Sequence, residues 1–377
     1  MTMRIGLMGC GNISDIYLIN APLFRDIKFT ACADLVDEAA KRQAARFGLN
    51  AMSPKALLAS DEVDIVLNLT IPEAHAEIAQ AALEAGKHVY GEKPLATNLA
   101  DGVKLMRTAT ARGLRVGCAP DTVLGASIQE ARRLIDAQAI GKPLLGVAAV
   151  MGHGMEHWHP NPGFFFRPGG GPVFDMGPYY LATLVTLLGP VASIAAIGQI
   201  GFKQRIVTTP NSPVLGQAIK VETLTSAQAL LQFASGAQVT FLASWDVWNN
   251  GVLPIEIYGE TGSLRAPDPN WFGGDVQIST GRGEWSAIET KQQRFGQANW
   301  PADKPVNANY RGLGLTEMAR AIVDKRPHRA SGDLALHVLA VMAGILEAAS
   351  EGRRVTIEQT CERPARLDEA EARGLLA

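Results

Sequence analysis

Lys93 lies in the stretch Gly91-Glu92-Lys93-Pro94, a charged pair at the end of an apolar run. Burying such charges is costly unless each finds a partner. The proline fixes the local backbone and keeps Lys93 out of a helix, so the ammonium can be aimed into a cleft. A solvated turn is the plainer use of the same residues. Further on, Gly169-Gly170-Gly171 leads into a run predicted to be helical from about Phe174 to Leu188, which puts Asp175 and Tyr179 one turn apart on one face. Tyr180 points about 100° away around that helix. A tyrosine hydroxyl can act as general acid or base where a nearby cation stabilises its anion.

A second set of residues has the spacing that holds a dinucleotide. In Arg4 to Ser14, R-I-G-L-M-G-C-G-N-I-S, a buried strand runs into a glycine turn and a helix start at Asn12 to Ser14. Gly9 permits the tight turn. Gly11 lets the backbone approach a pyrophosphate, whose charge sits on the free N–H groups of the helix start. Ser14 replaces the third glycine and is small enough for close packing. Asp34 ends the next strand, Phe29 to Ala33, roughly 20 residues on, where the ribose partner is expected. Its carboxylate accepts hydroxyl hydrogens and repels a 2′-phosphate. Leu35 and Val36 follow with no arginine, so NAD is favoured over NADP. The alternative is an Asp34 that caps the helix Val36 to Phe47.

The third set is the loop G-H-G-M-E-H-W-H-P-N-P-G-F-F-F-R-P, with His153, Glu156, His157 and His159 close together. A zinc site needs convergent ligands, and the glycines and prolines here give no helical i, i+4 face. A surface loop fits poorly with so many aromatics. A substrate loop fits best: Trp158 and the histidines can stack on and hydrogen-bond a polyol, and Arg167 adds a charged donor. No metal is expected.

These residues must be positioned by repeated strand–helix units, which predict an α/β fold with a doubly wound parallel sheet. Strands are expected at Ile65–Thr70, His88–Tyr90 and Leu114–Cys118, and helices at Glu73–Ala85 and Asn98–Arg112. Gly9 to Ile13, Asp34, Asn68 to Pro72, Gly91 to Pro94 and Ala119 to Thr122 then fall at the carboxyl ends of strands, where such sheets bind ligands. After a crossing at Pro120 to Thr122 come a helix, Leu124 to Gln138, and the strand Leu144 to Met151. Val191–Phe202, Gln217–Phe233, Ala237–Trp245 and Leu253–Tyr258 read as successive long strands, hence an antiparallel sheet. Residues 268–309 show no readable role. Tyr310–Asp324 and Gly332–Glu351 read as helices, with His337 packed in the core.

The chain of 377 residues is long enough for two domains, and its 47% hydrophobic and 19% charged content describes a well-packed protein. Lys plus Arg number 35 against 37 Asp plus Glu, which leaves no basic surface for nucleic acid or an anionic membrane. Apolar stretches such as Val63 to Ile71 are interrupted by polar residues, so none is expected to span a bilayer. No signal peptide is read at the start. Cys10, Cys32, Cys118 and Cys361 have no metal or disulfide spacing. A cytoplasmic protein with reduced thiols is expected.

Gly9-x-Gly11, Asp34, Thr70-x-Pro72 with His75, and Glu92-Lys93-Pro94 make the chain resemble the Gfo/Idh/MocA oxidoreductases over nearly its whole length. The E-K-P element is the most specific of these motifs. The resemblance implies an N-terminal Rossmann domain (residues 1–122) and a C-terminal α+β domain (123–377) with a large open, mostly antiparallel sheet, the last helices packing back on the first domain. It implies NAD held by Gly9, Cys10, Gly11, Asn12, Ile13, Asp34, Leu69, Thr70, Pro72, His75, Glu92 and Lys93. It implies a substrate held by Lys93, Asp121, His153, His157, Trp158, His159, Arg167, Asp175 and Tyr179. Lys93 touches the substrate hydroxyl in such proteins, and the Lys-Pro bond is often cis. Asp175 and Tyr179 match the family element G-G-G-x-x-x-D-x-x-x-H, except that tyrosine stands in the histidine position, as in the glucose–fructose oxidoreductase and dihydrodiol dehydrogenase branches.

The implied activity is oxidation of a sugar or polyol hydroxyl, with hydride passing to nicotinamide C4 and Tyr179, assisted by Lys93 and Asp175, taking the proton. A glycoside hydrolase or lyase using transient oxidation, and a non-catalytic NAD or sugar sensor, are the alternatives. The open sheet implies a homodimer or homotetramer.

Overall fold

The computed structural model describes residues 2–377. Met3–Met8 (β1), Ile27–Ala33 (β2), Asn50–Met52 (β3), Ile65–Asn68 (β4), His88–Gly91 (β5) and Val116–Cys118 (β6) pair in the order β3-β2-β1-β4-β5-β6, every pair parallel. Ile5, Leu7, Ile65, Val66 and Leu67 are wholly buried, since helices cover both faces of a parallel sheet. Ser14–Asn20 (α1), Asp37–Phe47 (α2), Pro54–Ala59 (α3), His75–Glu84 (α4) and Leu99–Arg112 (α5) form those layers. Strand order reverses between β1 and β4, which opens a crevice at their carboxyl ends. The short edge strand β3 and the one-and-a-half-turn α3 were not read from the sequence. Asn50 and Ala51 are exposed, so β3 carries no apolar signal.

A second sheet is built from Pro143–Met151 (β7), Val191–Gln199 (β8), Ser226–Phe233, Gln238–Ser244, Ile255–Gly259, Gly262–Ala266, Val276–Thr280, Ser286–Ile288 and Val355–Thr356. Numbering Gln204–Ile206 and Ala218–Lys220 as β9 and β10, and the others in chain order as β11 to β17, the sheet order is β16-β15-β14-β13-β7-β12-β11-β8-β17. All its pairs are antiparallel except β7–β12. Along β11 buried residues alternate with exposed ones, the period of a strand with one covered face. Ala126–Asp136 (α6), Gly171–Asp175 (α7), Gly177–Leu188 (α8), Leu313–Val323 (α9), Gly332–Glu351 (α10) and Glu369–Leu375 (α11) complete the chain.

Three expectations need correction. Gln217–Phe233 is not one strand: β10 pairs with β9 in a separate ribbon, and the chain then leaves so that Glu222 N–H reaches the Phe166 carbonyl at 2.8 Å before β11 begins. The helix expected from Phe174 is two helices broken at Met176, because Pro178 disfavours helical backbone before it and lacks an N–H. The helix expected from Tyr310 begins at Leu313, where the Asp121 carboxylate accepts the N–H groups of Gly312 and Gly314.

Among the described residues α10 is long and apolar enough to cross a membrane, a length the sequence reading overlooked. Its Leu339, Val341 and Ile345 are wholly buried, and it packs against α5, α8 and β8. It thereby joins the two sheets, and the Cys118 N–H bond to the Ala330 carbonyl ties β6 to the turn that precedes α10.

Candidate functional site

Beyond the end of β5 the chain turns through Glu92 and Lys93, and the Lys93–Pro94 peptide is cis. Lys93 Nζ donates to Asp175 Oδ1 at 2.8 Å and to the Asp175 carbonyl at 2.7 Å. Both side chains are mostly buried. Burial alone lowers the basicity of Lys93, but the Asp175 carboxylate and Tyr179 outweigh it and the lysine pKa is raised. The Asp175 carboxylate thus favours the ammonium form of Lys93. Tyr179, in the first turn of α8, lies with its ring centroid 5.2 Å from Lys93 Nζ, a cation–π distance. The three residues matched to the family motifs thus meet in space, although they come from two separate sheets' connections. Tyr180 faces Asp268 instead, where burial raises its pKa.

Two residues the sequence reading missed join them. Arg311 Nη2 lies 3.4 Å from Tyr179 Oη and 2.9 Å from Asn270 Oδ1, while Nη1 donates to Asn309 Oδ1 at 2.8 Å. Asn270 and Arg311 sit in or beside the segment with no readable pattern, and a lone arginine before a glycine gives no signal.

The glycine turn is built for a close approach. Gly9 has φ +98°, and a Cβ there would lie 2.6 Å from the Leu69 carbonyl oxygen, so glycine is required by the protein itself. A Cβ on Gly11 would meet no atom within 4 Å. The protein does not need glycine at that position; the clear space above it is what a pyrophosphate needs. Ser14, wholly buried, donates to the Gly11 carbonyl at 2.6 Å. Asp34 Oδ2 accepts from Cys10 N–H at 2.7 Å and Oδ1 from Val36 N–H at 2.9 Å. Asp34 does not cap α2, whose N-cap residue is Val36. Each of its oxygens retains a lone pair for a ribose hydroxyl, and exposed Leu35 and Val36 offer no charge to a 2′-phosphate. Asn12 and Ile13 are exposed beside this turn. Thr70 Oγ1 donates to Asn68 Oδ1 at 2.7 Å, and Leu69 N–H to the Met8 carbonyl at 2.8 Å, so the loop after β4, which continues into Pro72, is knitted to β1. These residues fit NAD.

Several residues expected at the site have other partners. His75 is buried with Nδ1 at 2.7 Å from the Pro94 carbonyl and Nε2 at 3.0 Å from the Thr70 carbonyl; a neutral ring donates to one of the two, and both nitrogens face main-chain oxygens of the loops after β4 and β5. Glu92 Oε1 accepts from Tyr17 Oη at 2.8 Å and Oε2 from Lys93 N–H at 3.1 Å, which makes Tyr17 a further missed residue. Asp121 is buried beneath Gly312 and Gly314, and burial pushes its carboxyl up to about 6; it is an internal anchor and not a substrate ligand. Arg167 is exposed, with Glu222 as its charged neighbour.

In the histidine loop the side chains diverge. Glu156 pairs at 2.9 Å with Arg205, which also takes Asp246 at 2.5 Å, and this buried ion triad anchors the loop. His153 stacks on Trp248, while His157 and Trp158 are exposed at the tip. His159 packs edge-on against Phe164 and Phe165, and its Nδ1 accepts from Asn161 N–H at 3.1 Å. The neutral ring therefore carries its proton on Nε2. Burial lowers the pKa of His159, with Asp175 as the carboxylate acting against that shift.

Comparisons with known proteins agree with this fold. Residues 3–119 match the family model described as an oxidoreductase family with an NAD-binding Rossmann fold, and residues 128–265 match the GFO/IDH/MocA C-terminal domain. An inositol 2-dehydrogenase from Saccharopolyspora erythraea is 27% identical over 302 residues, 79% of this chain and 82% of that one. A myo-inositol 2-dehydrogenase from Thermotoga maritima is 25% identical, covering 70% of this chain and 75% of its own. In fold, the chain is similar to an apo levoglucosan dehydrogenase (TM-score 0.82, 21% identity, 96% of this chain and 100% of that one). An NAD-binding oxidoreductase from Klebsiella pneumoniae has TM-score 0.80 and 23% identity over 94% of this chain and 99% of its own. With both halves matched by models of one family and the glycine turn, Asp34 and Lys93–Asp175 in place, the chain belongs to the GFO/IDH/MocA family, as an NAD-dependent oxidoreductase.

Proposed function

We propose that the protein is a sugar or polyol dehydrogenase in which Tyr179 Oη takes the proton of the substrate hydroxyl. The observation that carries this reading is the Lys93–Asp175 pair set against the Tyr179 ring at the carboxyl end of β5. NAD, when bound, supplies the hydride acceptor. The Lys93 ammonium donates to the hydroxyl oxygen being oxidised and stabilises negative charge there. Asp175 keeps Lys93 charged and aimed, and His159 offers its Nε2–H to a further hydroxyl. Holding the reacting carbon and the base in one geometry supplies much of the rate, and acid–base help adds about 10²- to 10⁴-fold. The names of the inositol and levoglucosan enzymes support cyclic polyols and anhydrosugars as the substrate class.

The test is NADH absorbance with NAD and a panel of inositols, free sugars, anhydrosugars and glycosides. Steady NADH formation with one of them is expected. Glycoside cleavage with no net NADH would overturn this reading in favour of transient oxidation.

We also infer self-association through the open face of the second sheet. Leu145, Ile197, Leu230 and Tyr258 lie exposed on β7, β8, β11 and β13, more apolar surface than a solvated sheet face carries. Light scattering is expected to give a multiple of the 40.2 kDa chain mass; a monomer overturns this.

A further inference from the structure

Arg311 is held on every side before it reaches Tyr179. Its own carbonyl accepts from Asn20 Nδ2 at 3.1 Å, and the N–H groups of the next residue, Gly312, and of Gly314 are fixed on the Asp121 carboxylate at 2.9 and 3.0 Å. The guanidinium is fixed in turn by Asn309 and Asn270, and the remaining direction of Nη2 falls on Tyr179 Oη at 3.4 Å. Among the described residues no other hydrogen-bond partner reaches that oxygen. A guanidinium only donates, so Tyr179 Oη must accept from Arg311. The phenolic proton cannot then lie on the Arg311 side.

We propose that Arg311 is a positioning residue for Tyr179: by donating to one lone pair of Oη it turns the others toward the cleft, so that the Tyr179 oxygen, in its anionic form, takes the substrate hydroxyl proton and holds it on the cleft side. This rests on the reading of Tyr179 as the proton acceptor. The contact is long for a hydrogen bond, as such bonds often are before substrate closes the site. Asn270 serves the same end at one remove, since without it the guanidinium is free to rotate away. Asp121 holds the backbone that follows.

The experiment uses the full-length protein labelled with ¹³Cζ-tyrosine. The chain has 6 tyrosines, and Tyr179→Phe identifies the resonance of interest. Arg311→Gln is expected to move the Tyr179 Cζ resonance and leave the other tyrosine resonances in place, with NADH affinity within about twofold of the parent. An unmoved Tyr179 resonance overturns the proposal. With the panel sugar that gives the fastest NADH formation, Arg311→Gln is expected to lower kcat by about 10- to 100-fold, the scale of a lost hydrogen bond to a charged group, with little change in KM. Adding Arg311→Gln to Tyr179→Phe is expected to cause no further loss, whereas a residue that merely supports the fold lowers both backgrounds equally. Equal losses overturn the proposal. Near-normal turnover of Tyr179→Phe alone overturns the reading of Tyr179 instead. If Arg311→Gln does not fold, Asn270→Ala carries the same two readouts, with a smaller effect expected.

Discussion

Lys93 Nζ holds the Asp175 carboxylate and the Asp175 main-chain carbonyl at once, at 2.8 and 2.7 Å. The ammonium is thereby fixed in position as well as in charge, and the junction of α7 and α8 is tied to the end of β5. Lys93→Met is expected to lower kcat by about 10²- to 10³-fold while NADH still binds, as charge stabilisation of this kind is worth. The same variant leaves the largely buried Asp175 without its partner, so a lower melting temperature is expected too. Turnover assays and a thermal melt check both; near-parental kcat would remove Lys93 from the mechanism.

The two glycines of the first turn should fail in different ways. Gly9→Ala forces a side chain into the Leu69 carbonyl at φ +98°, so a stability loss of about 1–3 kcal/mol is expected. Gly11→Ala meets no protein atom, so it should melt like the parent yet bind NADH at least about tenfold more weakly. A melt and a fluorescence titration on each separate the cases. Tight NADH binding by Gly11→Ala would show that the pyrophosphate lies elsewhere.

Asp34→Ser removes the charge that faces a 2′-phosphate. The NAD over NADP preference is expected to fall by about tenfold or more, mainly through weaker NAD binding, on the scale of one hydrogen bond to a charged group. Parallel titrations with NADH and NADPH measure it, and an unchanged ratio would refute the ribose role.

Asp121 gives a pH dependence of known sign. Its carboxyl is pushed up by burial, from the ordinary aspartate value to about 6 in the folded chain. The unfolded chain ionises first as pH rises, so this group's stabilisation is present at low pH and lost as pH climbs through about 6. Asp121→Asn cannot ionise and keeps an oxygen for Gly312 and Gly314. The parent is therefore expected to lose stability relative to Asp121→Asn between about pH 4 and 6, by up to about 3 kcal/mol. Denaturant melts at pH 4 and pH 7 read the difference, and parallel curves for parent and Asp121→Asn would refute it.

The sequence made Lys93, Asp175 and Tyr179 legible because each sits in a short motif with its own backbone requirement, a proline or a run of glycines. Strand–helix alternation likewise exposed the first sheet, except for β3, which buries too little to show a pattern. Arg311 was not legible. It meets Tyr179 across 132 positions of sequence, and neither neighbour of Arg311 announces the contact. His75 and Asp121 show the converse limit: polar residues at the ends of strands are right for a site, but sequence does not tell which way a side chain turns. In both cases it turns to backbone groups that burial had stripped of water. Gln217–Phe233 misled because apolar alternation continues through a segment that changes sheets.

The Glu156–Arg205–Asp246 ion triad has an evolutionary consequence. Loss of any one member strands buried charge, so the base of the histidine loop tolerates few single changes, while His157 and Trp158 at the tip stand exposed and carry none of that burden. Changes of residue at the tip can therefore accumulate by single steps that each leave a folded, NAD-binding protein.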